Sequence, residues 1–164
     1  MKYFVQKLSP IDGKECYDLL QRIGGMENDF TNPMHGKSYE EYKEWLVQQD
    51  AWSREEQLPK GFIGQTCFWL MVDNVIVGLG KIRHGLTARS REEGGNIGIA
   101  IDPCQRGKGY GTIFLHLLIE KAKEMKIGEI WITVKKYNYP SKKALEKNGC
   151  FVFKETENWW YLTI

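Results

Sequence analysis

Apolar residues change their spacing along this chain, and each spacing predicts an element. "YFVQKL" (3–8) alternates weakly and predicts a strand, stopped by Ser9-Pro10. In residues 13–23, Cys16, Leu19, Leu20 and Ile23 share one helical face, with Gly24-Gly25 as the stop. Residues 27–36 are polar and turn-rich, which predicts a loop. Ser38 then fits an N-cap, with Glu41 completing a capping box, for a helix through residues 39–49. After the charged connector 53–61 come two β-rich runs, 65–72 and 75–83, separated by the turn pair Asp73-Asn74. Residues 86–95 read as a polar loop, and "NIGIAID" (96–102) as a short strand ending at Pro103. Phe114, Leu117, Leu118 and Ala122 recur at helical spacing within 110–125. A strand (129–134), a short helix (139–149) and two strands (150–155 and 159–164) follow. Meandering strands followed by β-α-β-α-β predict an α+β fold with a sheet of mixed direction.

The bulk composition narrows the class of protein. The chain has 164 residues, 42% of them hydrophobic and 27% charged, which suits one domain with a real core. A net charge of +2 gives no overall field for nucleic acid or a membrane surface. No apolar run is long enough to span a bilayer, and "MKYFVQKLSP" lacks a signal peptide's apolar stretch, so a cytoplasmic location is expected. Cys16, Cys67, Cys104 and Cys150 form no CxxC pair and have no histidine at ligand spacing. Buried free thiols are therefore expected, with no metal site, while Cys150 after Asn148-Gly149 is left open as a neighbour of a site.

The densest chemical signal is "QRGKGYGTIFL" (105–115). Gly107, Gly109 and Gly111 sit between a predicted strand and a predicted helix, beside Arg106 and Lys108. Unpaired amides and partial positive charge at a helix N-terminus make an anion site, and absent side chains let a phosphate reach the backbone. The spacing is G-x-G-x-G, so neither the dinucleotide fingerprint nor the Walker loop fits.

"RGKGYG" resembles the R/Q-x-x-G-x-G/A signature of the GCN5-related N-acetyltransferases (GNAT superfamily), and "NYPSKKALEKNG" is similar to that family's N-x-x-S/A…E-K-x-G segment. The resemblance covers about residues 64–155, and the order of elements agrees over the rest. It implies the GNAT fold over 1–164: a mixed, mostly antiparallel sheet of about seven strands flanked by about four helices. It also implies acetyl-CoA as co-substrate. The loop holding Arg106, Gly107, Lys108, Gly109, Tyr110, Gly111 and Thr112 would cradle the pyrophosphate. Strands 96–102 and 129–134 would splay apart, leaving the backbone of Ile99, Ala100 and Ile101 to meet the pantetheine arm, chiefly through Ile99 and Ile101. Asn138 and Ser141 would hold the same cofactor, although Asn138 alone reads equally well as a helix cap.

Two positions depart from the family pattern. Leu145 stands where many members keep a tyrosine acid, and Asn96 where many keep a glutamate base. Glu93, acting through water, is the first substitute base and His84 the second, with Glu92 nearby and Tyr137 and Tyr139 as further proton donors. "RHGL…EEGGNIG" also resembles a little-studied branch of predicted acetyltransferases. The implied reaction is direct attack of a primary amine, on a small molecule or a lysine, within a ternary complex. Glu27 and Asp29 are expected to attract a cationic amine, and a homodimer is compatible with the sequence. The competing reading is a non-catalytic acyl-CoA sensor; a nucleic-acid module lacks its basic stripe.

Overall fold

The computed structural model describes residues 1–28 and 30–164. Its centre is β4 (Gln65–Val72), whose side chains are buried on both faces from Thr66 onward. It pairs antiparallel with β1 (Tyr3–Lys7) on one side and β5 (Val75–Arg83) on the other. The β4–β5 turn is tight because Asp73 and Asn74 both take positive φ, 48° and 67°, matching the right-handed twist of the hairpin. β6 (Ile97–Ile101) closes this four-stranded sheet, in the order β1-β4-β5-β6. β7 (Ile132–Lys135), β8 (Phe151–Glu155) and β9 (Trp159–Thr163) form a second antiparallel sheet, in the order β7-β9-β8.

Helices cover both faces of the first sheet. α1 (Lys14–Arg22) and α2 (Tyr39–Ser53) pack on one face around Leu19, Leu20, Tyr42, Leu46 and Trp69. On the other face, Phe68 and Leu70 meet Phe114 and Leu118 of α4 (Tyr110–Glu124), flanked by α5 (Tyr139–Lys147). Burying two unbroken apolar layers supplies most of the folding free energy. Cys16, Cys67 and Cys150 are buried free thiols, whereas Cys104 is exposed. Burial pushes the Cys67 thiol up to about 11 and the Cys16 thiol up to about 12.

The seven strands of the two main sheets and helices α1, α2, α4 and α5 are the elements expected from the sequence. Two short additions appear where loops were predicted. β2 (Met26–Glu27) pairs with β3 (Phe30–Thr31), and α3 (Ala88–Glu92) is nucleated by a reciprocal cap between Thr87 and Ser90. Both are too short for periodicity to show. α2 runs to Ser53, past the expected end at 49, and Ser38 Oγ accepts the Glu41 amide without a return bond from the Glu41 carboxylate. The strand expected over 129–134 begins only at Ile132, because residues 129–131 bond elsewhere. Among the described residues no helix is long and apolar enough to cross a membrane.

Candidate functional site

The two sheets meet at one point and diverge from it. The Asn96 N–H donates to the Trp131 carbonyl at 2.8 Å. Its side-chain amide donates to the Glu129 carbonyl at 2.6 Å, and its side-chain oxygen accepts the Trp131 N–H at 2.8 Å. Gly95 beside it has φ +56°, and a Cβ there would lie 1.9 Å from the Trp131 carbonyl oxygen, so only glycine permits the approach. Beyond this junction β6 bonds only to β5 and β7 only to β9, which opens a cleft of about 440 Å³.

One edge of the cleft is unpaired backbone. The Arg83 N–H donates to the Asn96 carbonyl at 2.8 Å, and the Asp102 N–H to the Val77 carbonyl at 2.9 Å. Antiparallel alternation then turns the amides and carbonyls of Ile97, Ile99 and Ile101 away from β5, while Ala100 between them bonds toward it. The Ile101 carbonyl accepts from Arg106 Nε at 3.1 Å, which anchors the turn that follows.

That turn ends the cleft at the first turn of α4. Gly107 and Gly109 adopt φ +78° and +82°, and Gly109 is the N-cap. Nothing lies within 4 Å of a Cβ built on either, so the backbone conformation requires glycine there and the space beside it is open. Gly111 differs: it sits in the helix without a positive φ, and its Cβ would touch only Ile99 Cδ1 at 3.8 Å. The first amides of α4 have no intrahelical acceptor and point toward this space.

Of the residues expected at the cofactor site, Ile99, Ala100, Ile101, Arg106, Gly107, Gly109, Tyr110, Gly111, Thr112, Asn138 and Ser141 all line this one cleft. Lys108 does not; its ammonium pairs with Gln105 Oε1 at 2.8 Å. Asn138 occupies the N-cap position of α5 but makes no capping bond, and its side chain has no other partner among the described residues. Asn148 fastens α5 to α4 by donating to the Thr112 carbonyl at 3.0 Å and the Ala144 carbonyl at 2.9 Å.

The structure does not bring the two expected bases to the cleft wall. His84 lies by a separate hollow with Ser53, Thr66 and Met125, and both ring nitrogens are engaged, Nε2 with Thr66 Oγ1 at 2.7 Å and Nδ1 with the Glu55 carboxylate. Glu93 caps the C-terminus of α3 with its side chain exposed, immediately before Gly94, which does line the cleft. Tyr137 and Tyr139 are exposed and also outside the cleft, and Leu145 is a buried lining residue. Asn96 is fully buried with its side-chain amide consumed by the strand junction. Cys150 is buried in the core beneath α4 and away from the lining. Asp29 lies outside the described residues.

The cleft also holds Asn28, Phe30 and Thr31, from the segment expected to face the acceptor, together with Lys81 and Arg83 of β5, which sequence reasoning missed. Thr133 of β7 accepts the Gly94 N–H at 2.7 Å, tying α3 to the second sheet. The available signal was alternation, since Lys81 and Arg83 share the strand face of buried Leu79.

Among curated proteins no sequence matches this chain. Solved acetyltransferases share its fold. The ribosomal-protein-S5-alanine acetyltransferase from Vibrio fischeri superposes with a TM-score of 0.73 at 16% identity, over 99% of this chain and 92% of that one. N-acetyltransferase PseH from Campylobacter jejuni, in complex with acetyl coenzyme A, gives 0.65 at 14% identity over 99% and 98%. A spermidine N-acetyltransferase chimera from Vibrio cholerae and hSSAT gives 0.66 at 14% identity over 100% and 95%. Residues 26–150 match the Acetyltransferase (GNAT) family, and the chain belongs to that family.

Proposed function

We propose that this protein transfers an acetyl group from acetyl-CoA to a primary amine of a small molecule or a lysine, by direct attack in a ternary complex. The observation that carries the reading is the cleft itself, a strand edge without a partner that runs into a glycine turn at a helix N-terminus. Acetyl-CoA fits such a cleft: its pantetheine amides extend β6 like an added strand, and its pyrophosphate lies on the α4 amides. That PseH is solved with acetyl coenzyme A supports the same reading.

Each residue has a task in this scheme. The amides of Gly109, Tyr110, Gly111 and Thr112 hold the pyrophosphate, with Arg106 and Lys108 adding charge beside them. Ile99 and Ile101 present backbone groups to the pantetheine arm, Ala100 walls the cleft between them, and the free Asn138 amide and Ser141 hydroxyl hold the arm from α5. Acetyl-CoA supplies an activated thioester, whose carbonyl the Ile99 N–H polarises. The amine forms the new C–N bond as the C–S bond breaks, and one amine proton must leave. Glu93 is the proposed acceptor for that proton, through a water at the Gly94 rim. The thiolate needs no tyrosine, since the proton taken up by Glu93, returned through water, suffices.

Gly111→Leu is the cleanest test of the cofactor placement, because position 111 has no positive φ and the substitution leaves the turn unstrained. Calorimetry should show at least tenfold weaker acetyl-CoA binding with the fold retained by circular dichroism. Unchanged affinity would remove the pyrophosphate from this turn. A second reading, an acyl-CoA sensor without catalysis, draws on Leu145 and Asn96, neither of which can move a proton here. Thiol release from acetyl-CoA in the presence of an amine panel separates the two.

A further inference from the structure

The end of the cleft away from the glycine turn is cationic. Along β5, Gly78 and Gly80 face Phe114 of α4, whereas Leu79, Lys81 and Arg83 face the α1–α2 side. Lys81 lies opposite Gly98, and Arg83 pairs with Asn96 at the strand junction, so both stand at the closed end of β6. Lys81 Nζ donates to the Thr31 carbonyl at 2.6 Å and lies 4.6 Å above the Phe30 ring. Arg83 Nη1 donates to the Gly95 carbonyl at 2.8 Å.

These contacts leave most donors unused. An ammonium offers three N–H groups and a guanidinium five, and one neutral carbonyl is bonded to each cation. No aspartate or glutamate among the described residues lines the cleft or pairs with either cation. Desolvation pulls the Lys81 ammonium below its ordinary range and works the same way on Arg83. Elsewhere the partly buried Lys142 ammonium pairs with the Glu146 carboxylate. Two neighbouring, partly buried cations with no counter-ion among the described residues are unfavourable until an anion joins them.

We propose that Lys81 and Arg83 form an anion subsite at the acceptor end of the cleft, and that the acceptor is an amine carrying a carboxylate or a phosphate within a few bonds of its nitrogen. The inference rests on the reading of this cleft as the site of acetyl transfer, and it narrows the acceptor class. CoA's own phosphates are not the occupants, because the glycine turn lies beyond Ile101, at the opposite end of the strand. The anion lies between the two side chains, accepts their unused N–H groups, and turns the amine toward β6. The pair also disfavours polyamines, whose charge it repels.

Two measurements test it. Thiol-release rates are compared for glycine, β-alanine and L-glutamate against their carboxamides, and for O-phosphoethanolamine against ethanolamine, with spermidine as the polycation. Dissociation constants are measured for N-acetylglycine and N-acetyl-L-glutamate against their carboxamides, in protein saturated with CoA. The N-acetyl compounds carry no titrating amine and need no turnover, so this arm reads the subsite even if transfer itself fails. The expected result is at least tenfold preference for anionic members in kcat/KM and in binding, lost in Arg83→Gln and Lys81→Met and partly kept in Arg83→Lys. The carboxylate and phosphate arms tell the two anions apart. Equal or tighter binding of the carboxamides, preference for spermidine, or no binding by any member overturns the proposal. Failure of acetyl-CoA itself to bind would instead overturn the cofactor reading.

Discussion

Asn96 shows how a single side chain can set the geometry of a site without entering its chemistry. It has no exposed surface, and its amide donates to the Glu129 carbonyl and accepts from the Trp131 N–H at once. A carboxylate at 96 would keep the acceptor but turn a second oxygen toward the Glu129 carbonyl, at a fully buried position. Asn96→Asp should therefore cost ~2–4 kcal/mol. In a chain of this size that is a fall in Tm of roughly 5–15 °C, read by thermal unfolding at pH 7. A change under ~2 °C would mean that the junction tolerates the repulsion and that the cleft has another pivot. The same reasoning explains why a family whose members often keep a glutamate at this place accepts asparagine here: the residue is spent on holding two strands at the apex.

Among the elements, what the sequence made legible was what periodicity and punctuation record. β4, β5, α1 and α4 stand where their apolar spacing placed them, because each buries a whole face. The glycine turn was legible because its residues carry both the conformation and the ligand chemistry. The β2–β3 hairpin and α3 were not, since two-residue strands and a one-turn helix depend on caps and tertiary contacts. Lys81 was missed for the same reason: it acquires its partners Phe30 and Thr31 only when that hairpin folds over β5. α5 is another element placed by contacts beyond its own sequence. Besides core packing, it is tied to α4 by the Asn148 amide bridging the Thr112 and Ala144 carbonyls. Asn148→Ala should cost ~1 kcal/mol of stability. It should also weaken acetyl-CoA binding severalfold, because α5 carries Asn138 and Ser141 to the cleft. Calorimetry showing unchanged affinity would remove α5 from the cofactor site.

For the molecule as a whole, one ion pair joins the helical layer to the end of the first sheet just ahead of the glycine turn. Asp102 follows β6 and is buried, and its carboxylate meets Arg22 Nη2 at 2.7 Å and Nε at 2.8 Å, from the last residue of α1. Burial alone would raise the Asp102 carboxyl, but the Arg22 guanidinium and the Cys104 amide outweigh it and hold the group below its ordinary value. A carboxyl depressed in the folded state binds fewer protons there than in the unfolded chain. Its stabilisation is therefore fully present above the unfolded pKa, near 4, and disappears as pH falls through the lower folded value. The Arg22 side chain is 43% exposed, so solvent screening keeps the pair below the worth of a fully buried one, and Asp102→Asn should cost ~1–3 kcal/mol at pH 7. Melting curves of wild type and Asp102→Asn should differ by a constant amount from pH 8 to 5 and converge below pH 4, as the wild type gives up the interaction that the variant lacks. Because the pair tethers the residues that lead into Gly107 and Gly109, the variant should also bind acetyl-CoA more weakly at pH 7, with the deficit shrinking on the same acid side. A stability gap that stays constant down to pH 2 would show that the carboxyl is not titrating in this range, and that steric fit accounts for what Asp102 contributes to joining α1 to the cofactor end of β6.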